Sequence, residues 1–424
     1  MDLTPPASGG SGGERKRVNP MIFIAGVSFM NAVAAMIVIP VLPRLIVSFT
    51  GDTASAAHYV GLFAALFALV QFLVSPLLGS MSDRFGRRTV ILTSTFGQSL
   101  NFMLMAIAPN LSVLFLARII SGVTAGTGPA INAYIADIAP PKDRAANFGW
   151  VAAANSAGFL LGPALGGLFG EIDPRLPFWV SAGLCLINSL YGLFILPESL
   201  KKDPAKRLTW ALSNPASALG FLFTRPAVGS LALVLMMLAI AQQCLPNTIV
   251  LYTNYRFGWS AGQIGLYLTA VGVANMTVQA LVLKRFVARF GERSAVMLGF
   301  SCYTIAFLLY ATSPIPAMFV LGAPFFAMGT LVTPSVQAQI TRLVHHDEQG
   351  RLQGALAAMT SLCGLVTPLV YTEIFALSIG RARSWLPASA HMYLAASVLA
   401  LGAILSLRYW RMMRNRSVGG EDIP

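Results

Sequence analysis

Long apolar runs alternate with short polar segments rich in arginine and lysine along nearly the whole chain. A run of about 20 apolar residues is what an α-helix needs to cross the hydrocarbon core of a bilayer. Twelve such runs can be read, near residues 21–45, 59–80, 89–108, 111–137, 146–169 and 177–196, then 227–252, 262–283, 294–312, 315–340, 353–377 and 388–409. The pattern predicts an all-α membrane protein with twelve spans.

The two groups of six are related to each other. A shift of 205 positions places Phe85-Gly86 on Phe290-Gly291, Arg84 and Arg88 on Arg289 and Arg293, and Pro129 on Pro334. Gly149 and Pro163 fall on Gly354 and Pro368 at the same offset. One constant offset over such a length predicts a duplicated six-helix bundle, the plan on which many secondary transporters are built. The expected organisation is a polar tail (1–18), a first bundle (19–197), a linker (198–226), a second bundle (227–410) and a closing tail (411–424).

Composition supports lipid as the solvent. Mean hydropathy is +0.69 and only 11% of residues are charged, against roughly 25% in soluble domains. The net charge of +13 would suit nucleic acid if it were gathered on one surface. It is distributed between spans instead. With the amino terminus placed in the cytoplasm, 23 of the 29 basic residues fall on that side, and five (Arg44, Arg175, Arg256, Arg381 and Arg383) on the other. This asymmetry predicts cytoplasmic termini in an inner membrane, with lipid as a partner and no nucleic acid. The linker stretch Trp210 to Phe223 reads as an interfacial amphipathic helix or a plain connector.

The rest of the chemistry is sparse. Cys185, Cys244, Cys302 and Cys363 all fall in spans without metal-ligand spacing and read as small apolar fillers. The four histidines are scattered or loop-borne. No cofactor, metal or enzymatic site is expected.

The loop after span 2 reads Gly79-Ser-Met-Ser-Asp83-Arg84-Phe85-Gly86-Arg87-Arg88. An aspartate set among arginines and next to a helix amino terminus can form contacts that exist only while two segments are docked. Span 4 carries Arg118-Ile-Ile-Ser-Gly122 and ends at Asp137, seven residues before Arg144. A charge at mid-membrane costs roughly 2.5–3.5 kcal/mol on insertion scales, so Arg118 faces a cavity or partner unless it snorkels to the surface. Asp137 reads as a member of a charge cluster or as a solvated helix end. Span 5 carries Gly158-Phe-Leu-Leu-Gly162-Pro163-Ala-Leu-Gly166-Gly167, a smooth stripe on which another helix can pack closely.

The loop Gly79 to Arg88 resembles the signature loop of the major facilitator superfamily. The second half keeps a worn copy, with Ala288 at the aspartate position. The resemblance implies a major facilitator fold of two pseudo-symmetric six-helix bundles. It also implies that Asp83, Arg84, Arg87 and Arg88, with Asp137 and Arg144, latch the inner side. The span 5 stripe resembles the signature of exporters in that superfamily, and Arg118 with Gly122 resembles its span 4 signature. Ile39-Pro40-Val41-Leu42-Pro43 and the loop together are similar to the tetracycline-resistance branch of drug:proton antiporters. That branch carries two membrane aspartates, where this chain has Asn31 and Asn101.

These resemblances imply a monomeric exporter of an amphipathic, drug-like small molecule working by alternating access, with protons as the expected coupling ion. An amide cannot carry a transported proton, so coupling would have to use Glu373 or the inner charges. His58, at the start of span 2, is the side-chain type that titrates near neutral pH but lies shallow. The alternative is weak or absent coupling, with Arg118 attracting an anionic or zwitterionic solute. An uptake symporter of the same fold is the further alternative. The expected polar lining is Asn31, Gln98, Asn101, Gln242, Gln243, Asn247, Asn275 and Gln337, each of which could instead serve an interhelical hydrogen bond.

Overall fold

A computed structural model describes residues 20–140, 143–199, 220, 222, 226–345, 348–380 and 385–418. The tail 1–18, most of the 198–226 linker with its Trp210–Phe223 stretch, and the last residues of the 411–424 tail lie outside the described residues. Within the described residues all regular structure is helical.

Among the described residues eleven helical runs are long and apolar enough to cross a membrane. The longest, Ala261–Thr312, is 52 residues, far more than one crossing needs. It is interrupted at Gly291, whose φ of 77° and ψ of 165° leave the helix. The chain therefore crosses twice here, which makes twelve spans. Gly86, 205 positions earlier, breaks the chain between spans 2 and 3 with φ 98° and ψ 151°. These are left-handed φ values that only glycine adopts cheaply. The repeat seen in the residues is thus also a repeat in the backbone.

Four spans are interrupted. Span 1 is Pro20–Ile37 followed by Leu42–Thr50, and the residues between contain Pro40. Span 4 is Leu111–Val123 and Thr127–Ile138. Span 7 is Pro226–Gln242 and Cys244–Phe257. Span 10 is Pro316–Val320, Gly322–Gly329 and Val332–Arg342. The broken spans are the first member of each consecutive triplet, so each six-helix half itself has two related parts. Discontinuous helices of this kind are where transporters expose backbone ends toward a central site.

Helix ends are closed by local chemistry. Asp52 accepts from the Ser55 amide (2.8 Å) to start span 2, and Ser260 with Gln263 forms a capping box at the start of span 8. At the carboxyl ends arginines take over. Arg175 donates to the carbonyls of Ala106 and Ala108 (3.0 and 2.9 Å) below span 3. Arg144 donates to those of Ala139 and Ala136 (3.2 and 3.0 Å) below span 4. Both satisfy orphan carbonyls where the helix dipole favours a cation.

Two six-helix groups result. In the first, span 1 packs on spans 5 and 6, and span 3 on spans 4 and 6; in the second, span 12 packs on spans 7 and 9, and span 9 on span 10. Within the first group, Ser181 donates to the Ala34 carbonyl (2.8 Å) and Asn188 to that of Val27 (3.2 Å), tying span 6 to span 1. The groups meet along span 2 with span 11 and span 5 with span 8.

The glycines of span 5 explain the second seam. A Cβ at Gly158, Gly162 or Gly166 would overlap span 1 at Ala32, Met36 or Ile37. One position round the helix, a Cβ at Gly167 would strike Ala261 and Gly265 of span 8. One stripe thus serves both the bundle and the seam. The Pro163 carbonyl lies where a Cβ at Gly265 would be, so the backbones approach with almost nothing between them.

Candidate functional site

A cavity of about 570 Å³ lies between the halves, within the range that buries drug-sized ligands. It is walled mainly by spans 1 to 5, with Pro246 and Asn247 of span 7 on the other side. Phe63, Phe67, Phe102, Met36 and Met105 supply adaptable apolar surface. Among the described lining residues Arg118 is the only charged side chain.

Of the residues expected here, the cavity takes in Asn31, Gln98, Asn101, Asn247 and Arg118. Gln98 is a bridge: its Nε2 donates to the Ser121 carbonyl (3.1 Å), and its Oε1 accepts from Ser121 Oγ and Asn101 Nδ2 (3.4 Å each). Asn31 Oδ1 accepts from Asn188 (3.2 Å). Asn31 Nδ2, Asn101 Oδ1 and Arg118 Nε are buried with no hydrogen-bond partner.

The other expected lining residues lie elsewhere. Gln242 donates to the Tyr303 hydroxyl (3.3 Å), an interhelical bond to span 9. Gln243, at the break in span 7, accepts through its carbonyl from Asn247 (2.7 Å). Asn275 on span 8 and Gln337 on span 10 do not reach the cavity. Two asparagines that sequence reasoning passed over do line it, Asn132 and Asn155. The signal was present: Arg118, Ser121, Ala125, Gly128 and Asn132 recur at steps of three and four, one face of a helix.

The Asp83 loop forms a compact charge cluster. Arg87 meets Asp83 (2.6 Å) and Asp137 (3.1 Å), and also donates to Ser82 Oγ (3.1 Å). Ser199 donates to the same Asp137 oxygen (3.3 Å). Glu198, which sequence reasoning did not single out, accepts from the Arg88 amide (3.3 Å) at the amino terminus of span 3. A Cβ at Gly86 would overlap its carboxylate, so Gly86 is required twice, for its φ and for this approach. Arg88 also donates to the Leu193 carbonyl, while Arg84 lies over the Phe85 ring (5.4 Å). These partners belong to the first bundle and to the first two residues of the linker, Glu198 and Ser199. A Cβ at Gly79 would meet nothing within 4 Å.

At the opposite end the halves are clasped together. Glu373 of span 11 lies outside the cavity, half exposed, and its Oε2 is 2.8 Å from His58 Nδ1 of span 2. Glu171 of span 5 accepts from the Gly262 amide of span 8 (2.7 Å). His58–Glu373 and Glu171–Gly262 thus tie the two halves to each other at this end. No group of three or more His, Cys, Asp or Glu among the described residues could hold a metal, and the four cysteines are buried and free.

The family profile described as Major Facilitator Superfamily matches residues 24–368 and, in a second alignment, 231–421. The chain belongs to the major facilitator superfamily. It is 37% identical over 368 residues to the tetracycline resistance protein, class C, of Escherichia coli, covering 86% of this chain and 91% of that one. It is 27% identical over 394 residues to the quinolone resistance protein NorA of Staphylococcus aureus, covering 92% and 96%. Among solved structures the nucleoside transporter NupG matches with a TM-score of 0.76 at 15% identity, over 93% of this chain and 99% of that one. This superfamily protein is an integral membrane transporter and not an enzyme, and the two relatives just named are drug-resistance proteins.

Proposed function

We propose that the protein exports an amphipathic small organic molecule by alternating access, in exchange for protons. The observation that carries this reading is the conjunction of a drug-sized, mostly apolar cavity with side-chain ties between the halves at one end. His58–Glu373 and Glu171–Gly262 tie the halves at one end, while at the other Arg87 draws Asp83 and Asp137 together within the first half. By the distribution of basic residues the Asp83 end is cytoplasmic, in a bacterial inner membrane, with both termini on that side. The cavity then faces the cytoplasm, ready to load. In the opposite state the Asp83 cluster docks against the second half and latches the inner side. The moving bodies are the 19–197 and 227–410 bundles of a monomer. The drug-resistance relatives and the span 5 stripe support export over uptake.

A second reading, transport without proton coupling, is favoured by one observation: no carboxylate or histidine is among the described cavity-lining residues. Purified protein in liposomes with an imposed pH gradient separates the two. Export of antibiotics and dyes from a panel should follow the gradient and collapse with a protonophore. Export that ignores the gradient selects the uncoupled reading; absence of export for every compound refutes both.

A further inference from the structure

We infer that the cavity selects amphipathic organic anions, with the Arg118 guanidinium as counter-ion to their acidic group. The inference rests on the exporter reading and narrows its substrate class.

Arg118 has no acidic partner. It enters no ion pair among the described residues, and its Nε is buried without a hydrogen-bond acceptor. A charge taken out of water is normally paired, and an ionisable group inside a membrane protein marks a path for a charged solute or ion. The surrounding polar groups, Asn31, Gln98, Asn101 and Asn247, are neutral amides. Nothing in the described lining offsets the positive charge, so a cation would enter against it.

A second feature has the same sign. Span 4 breaks beside Arg118, and the first residues of its second segment, Thr127 and Gly128, line the same cavity. Its N-cap is Gly126, with no side-chain cap hydrogen bond. A helix amino end carries partial positive charge, and broken transporter helices present such ends to anionic groups. The guanidinium offers planar paired donors that match a carboxylate or sulfonate. The phenylalanine and methionine wall takes the apolar body.

The test uses three probes with one apolar body and different charge: pyrenebutyrate, its methyl ester, and pyrenebutyl-trimethylammonium. Binding to the purified full-length protein is read by pyrene fluorescence. The acid should bind at least about tenfold tighter than the ester, the worth of one good charge-assisted contact, and the ammonium more weakly than either. Arg118→Gln should bring the acid down to the ester's affinity, and Arg118→Lys should recover little, since an ammonium lacks the paired donors. The wild-type ranking needs no variant and so does not depend on variant folding. Ester or ammonium binding as tight as the acid overturns the inference and leaves the exporter reading standing. Binding of none of the three overturns it as well, and the liposome assay then decides whether the exporter reading falls with it.

Discussion

Arg342 grips Glu292 with both terminal nitrogens, Nη2 to Oε1 at 2.5 Å and Nη1 to Oε2 at 3.3 Å. These residues stand 205 positions after Asp137 and Arg87, which make the corresponding bridge in the first half with the charges exchanged. In both halves the bridge ties the turn at Gly86 or Gly291 to the end of span 4 or span 10. What duplication preserved is the tie between two backbone sites; which side holds the cation is immaterial to it. Glu292→Arg should therefore slow transport, and the added Arg342→Glu should restore it by reproducing the first-half polarity. Exposed pairs contribute at most about 1 kcal/mol, so the single variant should lose about fivefold. Initial rates in liposomes measure this; a double variant no faster than the single one removes the bridge from the mechanism.

Gly79 and Asp83 lie one helical turn apart, and in the present state a side chain at Gly79 would have room. A leucine there is penalised only when the two halves meet at this end. Gly79→Leu and Asp83→Asn should thus leave thermal unfolding in detergent within about 2 °C of wild type, yet lower transport at least about tenfold, because they disfavour one state of a two-state cycle. Wild-type transport in either variant would refute the latch.

The spans were legible because each must be apolar for about 20 residues, and the turn at Gly291 because it repeats Gly86. The breaks in spans 1, 4, 7 and 10 were not, since a broken helix in lipid stays as apolar as an intact one. Arg118, Asn31, Gln98 and Asn101 stood out as polar residues in apolar runs. Gln242 stood out equally and yet bonds Tyr303, because polarity alone does not distinguish a cavity wall from a helix–helix bond. The Glu292–Arg342 pair escaped because a repeat search scores glutamate against arginine as a mismatch. Nothing short of the fold shows that the mismatch is compensated.

Gly166 and Gly149 occupy the same span with opposite surroundings. A Cβ at Gly166 would overlap the Ile37 carbonyl, whereas one at Gly149 would meet nothing within 4 Å. Backbone overlap cannot be relieved by a rotamer change, and overpacking costs about 1–3 kcal/mol or more. Gly166→Leu should lower the melting temperature by at least about 5 °C, and Gly149→Ala should leave it unchanged. Equal melting for both would mean that span 5 does not depend on its stripe for packing.

The two clasps at the far end set how firmly that end stays closed. His58–Glu373 joins span 2 to span 11, and Glu171 holds the amino end of span 8. Both use a carboxylate from one half against a donor from the other, so neutralising the acid should weaken closure without touching the cavity. Ile46 lines the cavity, is fully buried, and belongs to the far-end segment of span 1. Ile46→Cys, with the four native cysteines replaced by alanine, should react slowly with a membrane-impermeant maleimide added outside cells. Glu373→Gln should speed this labelling about threefold, in keeping with a half-exposed pair worth less than about 1 kcal/mol. Glu171→Gln in addition should speed it further, because the two clasps lie on different seams and act independently. Labelling unchanged in the double variant would mean that closure rests on the glycine packing of spans 5 and 8 alone.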